Sequence, residues 1–430
     1  MAASADHPQT PSERLIGRAI AATWLLWLVG ALYIAGPVIG WLLAGMVFAE
    51  IYLGRKSLAI IPSSVWLWLG SMAAMLVILW AGHANFSLGT AQTVKSSIGW
   101  AKGWALIALF PLAGAVLDIR LSVITRAVCR LGMWTLIILP FFLIAPFAGL
   151  PEMLWVSPMK AVGGPGPEYF ATILYTIEPG AGTPRWQFFA PWSPAAGMVA
   201  VIYIFIAAQE KELVWRIVGI TGFLAIAVLS QSRLALLAIA LVAPVTLAIA
   251  RVDRGWLWWL MAPAVFMIGL FGTELIALIE QLSNDFSAAR ADSSRVRAAL
   301  GRIALERWEN EAFWFGHGVV ENGPHLVEYM PIGSHHSWYG LLFVKGLLGA
   351  LALAAPLSVT FILLLWHARH GALQRLSFAL TLVLVLYSFG ENLEILAYLF
   401  WPALVLVGKA LADLHPTRRN PSSEDKDPAT

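Results

Sequence analysis

The sequence predicts an all-α, polytopic integral membrane protein. Of its 430 residues, 59% are hydrophobic and only 12% are charged, whereas soluble domains average about 25% charged residues. The apolar stretches are long, continuous and without strict alternation, which argues against a closed β-barrel. The single cysteine, Cys129, excludes an internal disulfide framework. The net charge of +3 is too small to favour nucleic acid as a partner.

The first 16 residues are polar and lack the apolar core and cleavage site of a signal peptide, so we expect a cytoplasmic tail. A membrane span needs about 20 mostly apolar residues. Twelve segments meet or approach this length: 17–35, 36–53, 64–82, 97–118, 131–148, 195–208, 213–230, 234–250, 255–273, 338–366, 374–390 and 392–409. The pair Gly36–Pro37 is expected to divide the first two spans. Residues 410–430 are expected to form a disordered cytoplasmic tail.

Two polar stretches, 149–194 and 274–337, are too long to be tight turns. Lys and Arg favour the cytoplasmic side of a membrane. With the N-terminus inside, most of the 28 Lys and Arg residues fall in inner loops and in the inner C-terminal tail. This orientation places both termini in the cytoplasm and both long loops outside, in the periplasm of a Gram-negative cell. The transmembrane domain then covers residues 17–409.

Arginine should be scarce outside, yet the second long loop is rich in it. Five arginines lie close together there: Arg290, Arg295, Arg297, Arg302 and Arg307. A further one, Arg233, stands at the outer start of a span in "VLSQSRLALL". The guanidinium fork matches phosphate oxygens, so this cluster favours a phosphate on a lipid carrier. The alternative for Arg233 is an anchor that snorkels to the membrane surface.

The segment 292–310, "DSSRVRAALGRIALERWEN", is predicted to be a helix. Its apolar positions recur at helical spacing and share one face: Val296, Leu300, Ile303, Ala304 and Trp308. Arg295 and Arg302, seven residues apart, share another face. A basic amphipathic helix that lies on anionic lipid would show the same pattern.

The loop that follows this helix is rich in histidine and glutamate, which raises the possibility of a zinc site. The candidate ligands are His317, His325, His335, His336, Glu321 and Glu328. However, no pair has the i, i+4 spacing of a helical His-x-x-x-His site, and no thiolate is at hand. We therefore expect no metal and assign these side chains to loop hydrogen bonding, apart from His335.

The segment "HHSWYGLLFVKGLLG" resembles the pattern His-[Asn/Ser/Gln]-x9-Gly-x-x-Gly of the bacterial O-antigen ligase family. His335 takes the histidine position, and Gly346 and Gly349 take the two glycine positions. His336 departs from the pattern, since Asn, Ser or Gln usually follows the histidine. The pair His336–Ser337 would satisfy that dipeptide and leaves His336 as the alternative, whereas the spacing to the glycines favours His335.

Three further elements extend the resemblance over about residues 225–352. "FGHG", with Gly316 and Gly318, is similar to the family's Gly-x-Gly element. "SQSR", ending at Arg233, and "SSR", ending at Arg295, look like its two arginine elements. Arg295 has arginine neighbours, so the second element could belong to one of them.

The resemblance implies a membrane glycosyltransferase that is inverting, metal-independent and without a cofactor. The donor would be an undecaprenyl-diphosphate-linked glycan, and the acceptor a glycan or lipid A-core. His335 would remove the proton of the acceptor hydroxyl, a task suited to imidazole, and Arg233 and Arg295 would bind the diphosphate. Possible supporting residues are Arg297, Arg302, His336, Gly316 and Gly318.

Two alternatives remain open. The same chemistry serves polymerases, which extend an O-antigen, capsule or exopolysaccharide chain. A different class is a transporter or flippase, which would place ionisable groups near the middle of the bilayer. The clear mid-span candidates are Lys102 and Lys345. We expect Lys345 to snorkel or to pair with Glu391 or Glu394.

Overall fold

The computed structural model describes residues 9–178, 182–251, 270 and 291–414. The chain is mostly helical, with 73% helix and few strands. Within the described residues the α-helices are α1 (Pro11–Ala21), α2 (Thr23–Leu28), α3 (Leu32–Tyr52), α4 (Ser63–Asn85), α5 (Gly89–Lys102), α6 (Trp104–Val116), α7 (Leu121–Ile144), α8 (Ser193–Ala207), α9 (Leu213–Leu229), α10 (Arg233–Ile249), α11 (Ala291–Glu311), α12 (Ser337–His367), α13 (Ala372–Ser388) and α14 (Leu393–Asp413).

Six stretches of the described chain are long and apolar enough to cross a membrane. They are α3, α4, the combined stretch Gly89–Val116, α7, α12 and α14. Four shorter apolar helices accompany them: α8, α9, α10 and α13. Large apolar side chains such as Phe48, Val77 and Ile362 are exposed on the helix surfaces. These surfaces are consistent with a protein whose helices contact lipid rather than water.

The N-terminal boundaries differ from the prediction. α1 begins at Pro11, inside the predicted tail 1–16, because Thr10 and Glu13 form a reciprocal capping box. The break between the first two predicted spans lies at Gly30, which has φ 65°, and not at Gly36–Pro37. Pro37 lies inside α3. Its backbone nitrogen therefore interrupts the hydrogen-bond ladder without ending the helix.

The predicted span 97–118 is divided into α5 and α6 at Gly103. A Cβ at Gly103 would collide with the side chain of Glu394, so this close approach requires glycine. α5 has no buried residue and packs along the edge of the bundle. The predicted span 131–148 belongs to a helix that begins ten residues earlier, at Leu121. The predicted segment 255–273 lies outside the described residues, apart from residue 270.

The remaining predicted spans agree with helices to within a few residues. α14 continues through Asp413, past the predicted domain boundary at 409. It is the most enclosed of the six long stretches, with 89% of its apolar window buried. Gly114 of α6 faces the backbone of Val405, and Gly408 of α14 faces that of Pro111. Such small residues let two helices approach backbone to backbone.

The predicted outer loop 149–194 contains short strands. β1 (Met153–Val156) pairs antiparallel with β2 (Ala171–Ile173), and β3 (Thr176–Ile177) pairs antiparallel with β4 (Pro184–Arg185). The Trp155 indole donates to the carbonyl of Leu28 at 2.9 Å, and the Thr172 hydroxyl donates to the same carbonyl at 3.1 Å. These bonds tie the loop to the end of α2. The loop then delivers Trp192 to the start of α8.

The predicted helix 292–310 is confirmed as α11. Its apolar residues Val296, Leu300 and Ala304 are buried. They pack against Val327 in one cluster and against Phe343 of α12 in another. Protein therefore covers the apolar face of α11, which argues against an attachment to lipid through that face.

Candidate functional site

The site is built around a break in α12. Gly346 lies inside this helix with φ 64° and ψ −166°, a left-handed conformation that favours glycine. Backbone hydrogen bonds join the two sides of the break to the preceding loop: His317 N to Phe343 O (2.9 Å), Gly318 N to Val344 O (2.9 Å), Leu347 N to Phe313 O (2.8 Å) and Leu348 N to Trp314 O (3.3 Å). The loop thus binds backbone groups that an unbroken helix would satisfy internally.

The predicted Gly-x-Gly and Gly-x-x-Gly elements therefore meet in space. Gly316 and Gly318 also have positive φ values, 67° and 77°. A Cβ on Gly316 would collide with the backbone of Lys345, and one on Gly346 would collide with the backbone of Trp314. These glycines shape the site through the close contact of two backbones.

His317 supports this junction and does not face a cavity. It is buried, its Nδ1 lies 3.0 Å from the carbonyl oxygen of Phe343, and its Nε2 lies 2.8 Å from Glu311 Oε2. Hydrogen bonds from Arg307 and His317 lower the pKa of Glu311 to about 2. Among the residues that the structure describes, no three His, Cys, Asp or Glu side chains are grouped so as to hold a metal ion.

The adjacent histidines have different surroundings. His336 is the N-cap of α12, where its Nδ1 accepts from Tyr339 N at 3.3 Å and its ring stacks on Tyr339 with centroids 3.8 Å apart. His335 has φ 63°, an uncommon conformation for a non-glycine residue. Its Nδ1 is buried and has no hydrogen-bond partner within the described residues. Strain and an unpaired polar atom together are typical of a functional position.

A cavity of about 550 Å³ opens beside His335. This volume lies within the range of about 300–1,000 Å³ found for small-molecule sites. Its wall is formed by α4, α5, the start of α6, the loop 165–169, the loop 330–335 and the starts of α12 and α14. Trp192 also lines it, and its ring meets that of His335 edge to face at 5.9 Å.

A buried carboxylate, Glu391, lies in the turn between α13 and α14 and shares the neighbour Trp192 with His335. Its Oε2 accepts from Trp192 Nε1 at 2.9 Å. Its carbonyl oxygen accepts from the Ser337 hydroxyl at 2.8 Å, and that hydroxyl in turn accepts from Leu393 N at 3.0 Å. Burial raises the pKa of Glu391 to about 7, although Arg297 and the Trp192 N–H oppose the rise. This turn therefore fixes the start of α12.

The charge of Arg297 acts on both His335 and Glu391. Burial lowers the pKa of His335 to about 4, and Arg297 contributes to the lowering. Burial alone lowers the pKa of His336 to about 4. Arg295, Arg297 and Arg302 are all exposed on α11. The sequence assigns Arg297 only a supporting role, since spacing along one helix does not show which arginine lies near enough to act on His335.

Arg233 begins α10 beside the same turn. A Cβ on Gly390 would lie 2.8 Å from the neighbouring Leu234, so the start of α10 packs against the turn that holds Glu391. The predicted residues Arg233, Arg297 and His335 are thus brought to one region around Glu391. The sequence prediction missed Trp192 and the buried role of Glu391. The polar "GEN" that separates two apolar segments was the available signal for Glu391.

A comparison with protein-family models found no match for this chain, and a comparison with curated protein sequences also found none.

Proposed function

We propose that the protein is a membrane glycosyltransferase of the O-antigen ligase type. It transfers a glycan from an undecaprenyl-diphosphate carrier to an acceptor glycan, such as lipid A-core, with inversion and without a metal. The observation that carries the proposal is His335, a strained histidine with an unpartnered buried Nδ1 beside a 550 Å³ cavity. The motif resemblance, now joined by the contact between the two glycine elements, supports it.

The reaction requires one group that accepts the proton of the hydroxyl and one site that stabilises the negative charge of the leaving diphosphate. The acceptor hydroxyl oxygen bonds to the anomeric carbon of the donor while the bond from that carbon to the diphosphate oxygen breaks. The electron pair leaves with the undecaprenyl diphosphate, and the hydroxyl proton passes to the His335 imidazole. Because its pKa is held at about 4, this imidazole is neutral at pH 7 and can accept a proton.

Donor binding would also tune this base. Arg297 lowers the pKa of His335 through its positive charge. A diphosphate bound by Arg297 together with Arg233 and Arg295 offsets that charge and raises the pKa toward neutrality, where a general base is most effective. The arginines also stabilise the charge that develops on the leaving diphosphate.

The proposed topology is that of about twelve spans in the bacterial inner membrane, with both termini cytoplasmic and two long periplasmic loops. The apolar helix surfaces would hold the polyprenyl tail of the donor. Polymerisation of an O-antigen, capsule or exopolysaccharide uses the same steps with a glycan chain as acceptor, and the site supports both reactions equally.

The test is reconstitution of the purified protein in liposomes with an undecaprenyl-diphosphate oligosaccharide and an acceptor glycan. Transfer that depends on His335 supports the proposal. Movement of the lipid-linked glycan across the bilayer without any acceptor, together with no transfer when acceptor is present, favours a flippase instead.

A further inference from the structure

A buried lysine also lines the cavity beside His335. Lys345 is only 5% exposed and lies directly before the break at Gly346. Its side chain passes over Gly349, where a Cβ would collide with it. Glu394 of α14 also lines the cavity, and its carboxylate interacts electrostatically with Lys345. Glu394 is one of the two partners that the sequence suggested for Lys345, but the two side chains form no ion pair within 4.0 Å.

The ammonium of Lys345 has no close protein partner in the described part of the chain. It makes no hydrogen bond there and no ion pair within 4.0 Å, so Glu394 attracts it across a gap. Burying a charged group without hydrogen bonds is costly, and that cost is recovered where a ligand supplies the bonds. An unpaired cation and a carboxylate that share one cavity therefore indicate a ligand site.

The chemistry of the wall favours a neutral, hydroxyl-rich ligand. Its charges are balanced, with Lys95 and Lys345 against Glu168 and Glu394, and the arginine cluster does not line it. Because these charges balance, the wall offers no net attraction to a phosphorylated or acidic ligand. Sugar hydroxyls can accept from an ammonium and donate to a carboxylate. Aromatic side chains also line the cavity, and aromatic rings can pack against the apolar side of a sugar ring: Trp100, Trp104, Tyr169 and Trp192.

We propose that the Lys345–Glu394 end of the cavity is a binding subsite for a neutral sugar ring of the acceptor. Its assignment to the acceptor rests on the proposed function, because the diphosphate of the donor is assigned to the arginines, and none of these lines the cavity. From Ser337 to Lys345, α12 rises about 12 Å. The reacting hydroxyl therefore lies at His335 while the rest of the acceptor extends toward Lys345.

The experiment measures binding of simple glycosides by saturation-transfer NMR on the full-length protein in nanodiscs. The neutral probes are the methyl glycosides of glucose, galactose, mannose and rhamnose, and the acidic probe is methyl glucuronide. We expect at least one neutral probe to bind and the glucuronide not to bind. Lys345→Met and the nearly isosteric Glu394→Gln should each weaken binding by about 10-fold or more, since each removes a charged hydrogen bond.

Lys409→Met is the matched control, because Lys409 lies near the opposite end of α14 from Glu394. It should bind the neutral probe like the wild type. The subsite is refuted if no neutral probe binds, if the glucuronide binds best, or if a folded Lys345→Met or Glu394→Gln variant binds like the wild type. Size-exclusion elution identifies the folded variants, and Glu394→Gln provides the result if Lys345→Met does not fold.

His335→Ala separates this inference from the proposed reaction. It should retain binding of the neutral probe and lose transfer. If the wild-type protein binds the neutral probe through Lys345 but shows no transfer activity, the subsite is supported and the glycosyltransferase proposal is refuted. Transfer with an unchanged acceptor KM in both Lys345→Met and Glu394→Gln would support the glycosyltransferase and refute the subsite.

Discussion

The sharpest prediction concerns the two adjacent histidines. His335→Gln keeps a polar side chain of similar size but cannot accept the proton, so transfer should fall by about 10²–10⁴-fold, a rise of about 3–5 kcal/mol in the activation barrier. His336→Gln removes the ring that caps α12 and stacks on Tyr339. Loss of a cap costs about 1 kcal/mol of stability, so we expect a less stable protein with a near-normal rate per folded molecule.

The pH profile tests the environment of His335. Because its pKa is lowered to about 4, the neutral imidazole predominates above about pH 4 and becomes protonated only as the pH falls through that value. The kcat/KM of the wild type should therefore stay high well below pH 6.5, the ordinary pKa of histidine. Arg297→Gln removes one cause of the lowering, so the acidic midpoint should move upward. It should stay below 6.5, because burial is the larger cause and remains.

The neighbouring carboxylate must be separated from this effect. Glu391, with a pKa of about 7, would produce an inflection near neutrality, and Glu391→Gln should remove that inflection while leaving the acidic midpoint. The assay is the initial rate of transfer in proteoliposomes at matched protein amounts across the pH range. An acidic midpoint at 6.5 in the wild type, or a greater rate loss in His336→Gln than in His335→Gln, would refute the assignment of the base.

Three further predictions test the rest of the site. Arg233→Lys and Arg295→Lys keep the charge but lose the two-pronged guanidinium, so each should lower transfer by about 10-fold or more. The control Arg375→Lys, on α13, should leave transfer unchanged. Near-normal transfer in both Arg233→Lys and Arg295→Lys would argue for snorkelling anchors. Gly346→Ala should destabilise the protein by about 2–4 kcal/mol, from backbone strain and lost backbone hydrogen bonds. Gly45→Ala, in the interior of α3 with open space around it, should be neutral or slightly stabilising, because alanine favours a helix over glycine. Equal thermal stability of the two variants would contradict the role of the break. Transfer, measured before and after prolonged EDTA treatment, should be unchanged. Loss of transfer on chelation and its recovery on adding zinc or magnesium would indicate a metal site.

The sequence by itself determined the class of the chain and several local structures. The high apolar content and long apolar runs indicated helices long enough to cross a membrane, because an unpaired backbone cannot be buried in lipid. The periodic apolar residues of 292–310 predicted α11, since a 3.6-residue period places them on one face. Helix boundaries were less well predicted at Gly30 and Gly103, where a helix breaks at a glycine that closely contacts a residue distant in the sequence.

The tertiary structure decided which side chains face one another. His335 and His336 are neighbours with the same chemistry, and only the left-handed turn at His335 directs one toward the cavity and makes the other a cap. Arg297 and Arg295 lie two residues apart on α11. The packing of that helix on α12 brings Arg297 close enough for its charge to act on His335.

Glu391, Trp192 and Lys345 show the same limit of sequence patterns. Trp192 and Glu391 are 199 residues apart and join through one hydrogen bond, and Lys345 of α12 shares a cavity with Glu394 of α14. Local patterns reflect the short-range preferences of the backbone. The meeting of distant segments depends on how whole helices pack, and that packing is a property of the complete chain.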